Sequence, residues 1–169
     1  PDLFSRIKKN VNLNYDEEGV KEGKLLKDEL GWEYPVMDIV SCASILKLNH
    51  DVGLIGFCYG GSLAWRAIQK SFLFNCAVSY YGSQISTFLD LLPNCPAQLH
   101  FGELDATITE KNIKDIKRFT KNSNYEVSTY IYKNADHGFN CNQRNSYNKS
   151  ASKDANTITL DFFDRYLNG

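Results

Sequence analysis

No apolar run in the 169-residue chain approaches the roughly 20 residues that cross a bilayer, and the opening "PDLFSRIKKNVNLNYDEE" has no signal-peptide core. The expected location is the cytoplasm, with no membrane as partner. An excess of one charge is also missing: 19 basic and 20 acidic residues leave a net charge of -1. They are spread without the basic stripe that a phosphate backbone requires, so nucleic acid is not an expected partner. The five cysteines, Cys42, Cys58, Cys76, Cys95 and Cys141, include no CxxC pair and are odd in number. That argues against a zinc site and a complete disulfide framework, and most are expected to be buried, reduced thiols. Internal repeats and low-complexity linkers are absent as well. Histidine is scarce, with three in the chain, so few side chains can act as a base near neutral pH.

What is present fits one hydrophobic core. Hydrophobic residues make up 43% and charged residues 23%, ordinary for a globular protein of this length. Residues 1–169 are read as a single domain, with a monomer as the expected state. The chain begins at Pro1 in a polar stretch resembling the middle of a loop, and a fragment of a longer polypeptide is expected.

Periodicity divides the chain into helices and buried strands. "DEEGVKEGKLLKDELGW" (16–32) predicts an amphipathic helix ended by Gly31, and "YPVMDIVSCASILKLN" (34–49) a second helix entered through a proline. "VGLIGF" (52–57) predicts a strand buried on both faces, followed by a tight turn and the helix "GGSLAWRAIQKS". "CAVSYYG" (76–82), "AQLHFG" (97–102) and "VSTYIY" (127–132) predict further strands, with helices at "STFLDLL", "TEKNIKDIKRFTKN" and "DANTITLDFFDRYLN". The Asn- and Ser-rich stretch 140–154 reads as a surface loop. Buried strands alternating with helices define an α/β protein with a mostly parallel sheet, whose ligands gather at the carboxyl ends of the strands. Functional residues are therefore sought just after residues 57, 81, 102 and 132.

"IGFCYGGS" (55–62) places Cys58 on the bend between strand and helix. Flanking glycines Gly56 and Gly60 remove side chains that would collide, Gly61 lets the helix pack closely, and the helix N-terminus favours a thiolate. A glycine turn can also serve nucleotide binding, but this one lacks the GxGxxG spacing and a P-loop lysine. No cofactor or metal is expected. Of the histidines, His50 lies in a polar turn and His100 inside a strand, where a satisfied structural role is expected. His137, in "NADHGFNC", follows the last strand and is the candidate general base. Its orienting carboxylate is read as Asp105, further past the strand end than Glu103. Asp136, adjacent to His137, is read as shaping a turn. Nucleophile, acid, histidine is the chain order of α/β-hydrolases.

Through "PDLFSR", "GFCYGG", "VSYYG", "HFGELD" and "ADHGFNC" the chain resembles the dienelactone hydrolase family. The resemblance implies a three-layer α/β-hydrolase fold whose strands before "PDLF" fall outside this chain. It implies a Cys58–His137–Asp105 triad that hydrolyses small-molecule carboxylic esters or lactones through an acyl-enzyme, with the Tyr59 backbone N–H as one oxyanion donor. It also implies that Arg6 binds a substrate carboxylate. A second family arginine is replaced around Asn140 and Cys141, with Arg144 a substitute three residues on. Tyr81 and Phe139 are read either as pocket walls or as aromatic packing. A homologue that keeps the scaffold as a non-catalytic binding module is the alternative function.

Overall fold

The computed structural model describes residues 1–168. Two helices come first, α1 (Glu17–Leu30) and α2 (Glu33–Leu46), and α2 adds Val36, Ile39 and Ala43 to the core. The Asp16 carboxylate caps α1 by accepting the Gly19 N–H at 2.8 Å, and the helix ends at Gly31 with φ +68°. Four parallel strands follow in spatial order β1 (Gly53–Phe57), β2 (Cys76–Tyr80), β3 (Ala97–Gly102) and β4 (Val127–Tyr132). Crossovers carry α3 (Tyr59–Lys70) between β1 and β2, and α4 (Glu110–Thr120) between β3 and β4; α5 (Lys149–Leu167) closes the chain.

β2 and β3 are buried at every position because both faces are covered. Leu63, Trp65 and Ile68 of α3 join Val78, Leu99 and Ile116 in one core, all almost fully buried. β1 departs from the expectation of burial on both faces. It is one edge of the sheet among the described residues, β4 being the other, and Ile55 and Phe57 are each 43% exposed.

Two other local expectations are corrected. "STFLDLL" forms only one 3-10 turn, Ile85–Thr87, and not a helix. Its carbonyls find tertiary partners instead: Trp65 Nε1 donates to the Phe88 carbonyl at 3.0 Å, and Gln69 Nε2 donates to Phe88 at 2.8 Å and to Leu91. Backbone groups satisfied by α3 side chains no longer need a helical ladder. The polar loop ends earlier than residue 154, since α5 starts at Lys149. Asn148 accepts the Ala151 N–H at 3.1 Å, an N-cap worth about 1 kcal/mol that nucleates the helix inside the polar stretch. Among the described residues no helix is long and apolar enough to cross a membrane.

Candidate active site

The turn from β1 into α3 is built around Cys58, which takes φ +52° and ψ -116°. A non-glycine residue there costs on the order of 1–3 kcal/mol, and the surroundings hold it in place. Its N–H donates to the Tyr80 carbonyl of β2 at 3.0 Å, while its carbonyl accepts the Ser62 N–H at 3.1 Å. Glycine is required on both sides, although not where the sequence placed the second one. A Cβ on Gly56 would lie 2.0 Å from the Gly60 carbonyl oxygen, and one on Gly61 would lie 2.6 Å from the Tyr80 carbonyl oxygen; one on Gly60 would meet open space. Gly61 lets the helix close onto the sheet, as expected, whereas Gly60 has no collision to avoid.

Three chain-distant side chains meet at the carboxyl edge. His137, in the loop after β4, places Nε2 3.1 Å from Cys58 Sγ and Nδ1 2.7 Å from Asp105 Oδ2. Asp105, after β3, is fully buried at its side chain, and its other oxygen accepts the Thr107 hydroxyl at 2.6 Å and the Thr107 N–H at 2.9 Å. With Oδ1 filled by Thr107, Oδ2 faces His137. The neighbouring carboxylates are occupied elsewhere: Asp136 accepts the His137 backbone N–H at 2.6 Å, and Glu103 accepts the Asn134 N–H at 3.0 Å.

The electrostatics follow from this chain of contacts. Burial alone raises the Cys58 thiol, but the hydrogen bond and charge of His137, the Tyr59 backbone N–H and the Arg144 charge outweigh it and bring the thiol below its ordinary value. Burial lowers His137, yet the bonds to Asp105 and Cys58 win and push it up to about 9. Burial also raises Asp105, and the bonds from His137 and Thr107 reverse the sign to leave it lowered. The arrangement favours a thiolate beside an imidazolium beside a carboxylate.

Cys58, Tyr59, Thr107, His137 and Arg144 open onto a cavity of about 590 Å³. Its opposite wall comes from the N-terminal segment: Phe4, Leu13 and Tyr15, then Gly19, Val20, Gly23, Lys24, Lys27 and Asp28 of α1. Tyr59 is fixed against that segment, its hydroxyl donating to the Gly31 carbonyl and its ring stacked 6.5 Å from Phe4. Its backbone N–H lies at the start of α3, beside the sulfur.

The other expected residues divide between those placed as expected and those placed elsewhere. Arg6 does not line the cavity; its guanidinium makes a bidentate pair with Asp38 of α2, both bonds 2.7 Å, and lies over the Tyr34 ring. Arg144 does line it, its guanidinium 5.4 Å above the Tyr15 ring. Tyr81 and Phe139 are buried behind the site, not walls of it, with Tyr81 edge-on to the His137 ring at 5.1 Å. His100 is buried in the sheet, within 2.7 Å of the Tyr132 hydroxyl and 3.3 Å of Gln98 Oε1. All five cysteines are free, but only Cys76 and Cys95 are buried, against the expectation for most; burial holds both thiols up at about 12.

Local sequence pattern singles out neither Thr107 nor the α1 wall as it does Cys58. "DAT" does have the spacing of an Asx turn, the one signal that points to Thr107. Nothing local in "GVKEGK" places that helix over Cys58. Among the described residues no cluster of His, Cys, Asp and Glu could hold a metal ion.

A parallel sheet with a strained cysteine between strand and helix, and a histidine and an aspartate after later strands, defines an α/β-hydrolase-type protein. A profile of the dienelactone hydrolase family matches residues 11–167, and the chain belongs to that family. Carboxymethylenebutenolidase 1 of Cupriavidus pinatubonensis is 29% identical, the match covering 95% of this chain and 70% of the relative. A carboxymethylenebutenolidase of Pseudomonas putida is also 29% identical, over 96% of this chain and 71% of the relative. A crystal structure from Klebsiella pneumoniae, provisionally described as a dienelactone hydrolase, superposes with a TM-score of 0.81 at 24% identity, covering 98% of this chain and 74% of that one. At that identity it speaks to the fold alone.

Proposed function

We propose that the protein hydrolyses small-molecule carboxylic esters or lactones by covalent catalysis at Cys58. The observation carrying this reading is the contiguous line from Cys58 Sγ through His137 to the buried Asp105, open to a cavity at one end. Family membership and the names of the relatives support the substrate class.

In the cycle, the Cys58 thiolate adds to the substrate carbonyl carbon, and the carbonyl electron pair moves onto oxygen. The Tyr59 N–H at the start of α3 stabilises that oxyanion. The tetrahedral species collapses with cleavage of the carbon–oxygen ester bond, and the leaving oxygen takes the proton of His137 Nε2. A thioester remains on Cys58. His137, now neutral, removes a proton from water as it attacks the thioester; collapse expels the thiolate and releases the acid. Asp105 keeps Nδ1 protonated throughout and stabilises the imidazolium. Because sulfur and imidazole already exchange the proton at rest, His137 acts first as an acid and only then as a base.

The test is turnover of p-nitrophenyl acetate by the wild type, Cys58→Ala and His137→Ala, with Cys58 acylation followed by peptide mass. Loss of turnover in both variants, with an acetyl group trapped on wild-type Cys58, is expected. Equal turnover in all three would overturn the proposal.

A further inference from the structure

Helix α1 turns two glycines toward the cavity, and they are there for different reasons. A Cβ on Gly19 would sit 2.1 Å from the Asn14 carbonyl oxygen, backbone that cannot yield. A Cβ on Gly23 would meet only Leu13 Cδ1 at 3.4 Å, the mobile end of a side chain. Packing therefore does not demand glycine at 23. Backbone geometry does not demand it either, since Gly23 has no positive φ and lies inside a helix, where glycine is less stable than alanine. What Gly23 faces is the cavity that holds Cys58 and His137.

We infer that Gly23 is a specificity-determining residue: its missing side chain keeps open the apolar part of the cavity beside Leu13 and Val20, so that esters carrying an extended apolar group reach Cys58. The inference deepens the proposed hydrolysis and rests on it. The cavity's size agrees, since about 590 Å³ falls within the roughly 300–1,000 Å³ typical of pockets for drug-sized ligands. Phe4, Leu13 and Val20 supply an apolar surface for such a group. α1 loses helix stability at Gly23 without a packing return, and the return is reach for the substrate.

The experiment compares wild type, Gly23→Ala and Gly23→Leu in two assays. The first is kcat/KM for p-nitrophenyl octanoate relative to p-nitrophenyl acetate. The second is the rate of Cys58 alkylation by N-hexylmaleimide relative to iodoacetamide, read by peptide mass. The expected result is an octanoate-to-acetate ratio at least about tenfold lower in Gly23→Leu, the discrimination a methylene-scale change in a pocket gives, with a smaller drop in Gly23→Ala. The maleimide-to-iodoacetamide ratio falls in the same order. Gly23→Ala also melts about 2–4 °C higher, because the helix gains where packing allows a methyl. Unchanged ratios in folded Gly23→Leu overturn the inference; should that variant not fold, an unchanged ratio in Gly23→Ala does so. Alkylation requires no turnover, so absence of Cys58-dependent hydrolysis would defeat the proposed reaction while the alkylation ratios still decide the role of Gly23.

Discussion

His100 and His137 both belong to the carboxyl half of the sheet, the first fully buried within β3 and the second half-buried just beyond β4, where it opens onto the cavity. Their chemistry has nevertheless been driven in opposite directions. Burial among Tyr80, Tyr130 and Tyr132 brings His100 down to about 3 and keeps it neutral. His137 meets a carboxylate on one side and a thiol on the other, and is held up at about 9. Burial acts the same way on both rings. What separates a structural histidine from a candidate acid–base group is the neighbour that desolvation strengthens.

The largest effects come from removing His137 or its partners. Cys58→Ala or His137→Ala should each lower ester turnover on the order of 10⁴-fold or more, because members of a catalytic unit are not additive. The comparison breaks if His137→Ala costs no more than His100→Phe. Asp105→Asn should cost up to about 10⁴-fold in kcat, the loss seen when a histidine is left in the wrong tautomer, with Tm measured in parallel to separate instability from chemistry.

The pH dependence of the two rings sharpens the contrast. For kcat/KM, activity should rise with ionisation of Cys58, at a pH below a free thiol's range, and fall above about 9 as His137 gives up its proton. In stability the signs also differ. His137 has a raised folded pKa, so its contribution is complete below the unfolded value of 6.5 and is lost as pH rises through about 9. His100 is depressed, so the neutral ring's contribution is complete above 6.5 and is lost as pH falls from there toward about 3. Thermal melts across pH should therefore show acid sensitivity that His100→Phe flattens. That variant should cost about 1–3 kcal/mol, since the Tyr132 hydroxyl and Gln98 lose a buried partner, while ester turnover at neutral pH persists.

Of the substitutions around His137, Thr107→Val should have the smallest effect, lowering kcat roughly tenfold as Asp105 Oδ1 loses its hydroxyl donor, a loss of about 1–2 kcal/mol in positioning. Thr107→Ser should restore most of it. A valine variant with wild-type kcat would show that the backbone N–H alone orients the carboxylate.

The contrast between the two histidines is partly legible in the amino-acid sequence. Local pattern suffices where one short stretch determines its own geometry: the run into Cys58, the Gly31 cap, the strand ends before Asp105 and His137. It also separates His100, inside a buried strand, from His137 beyond one. Pattern fails where a distant partner decides. "STFLDLL" has helical spacing, but Trp65 and Gln69 bind the carbonyls a longer helix would need. Arg6 sits in a recognisable motif, yet Asp38, 32 residues away, takes both the Nε and Nη2 donors of its guanidinium. Tyr81 and Phe139 follow the correct strands but pack inward. The cavity wall is least legible, because the approach of α1 to Cys58 depends on Tyr59 anchoring at Gly31 and on the path of residues 1–16.

The resting charge of His137 tests the central claim most directly, through an NMR titration of the ring resonances in the wild type and in Cys58→Ala, with His50→Gln and His100→Phe used for assignment. His137 should titrate near 9 in the folded wild type and lower once the thiolate partner is removed, while His100 stays neutral down to the point of unfolding. A His137 that titrates near 6.5, unmoved by Cys58→Ala, would contradict the thiolate–imidazolium pair.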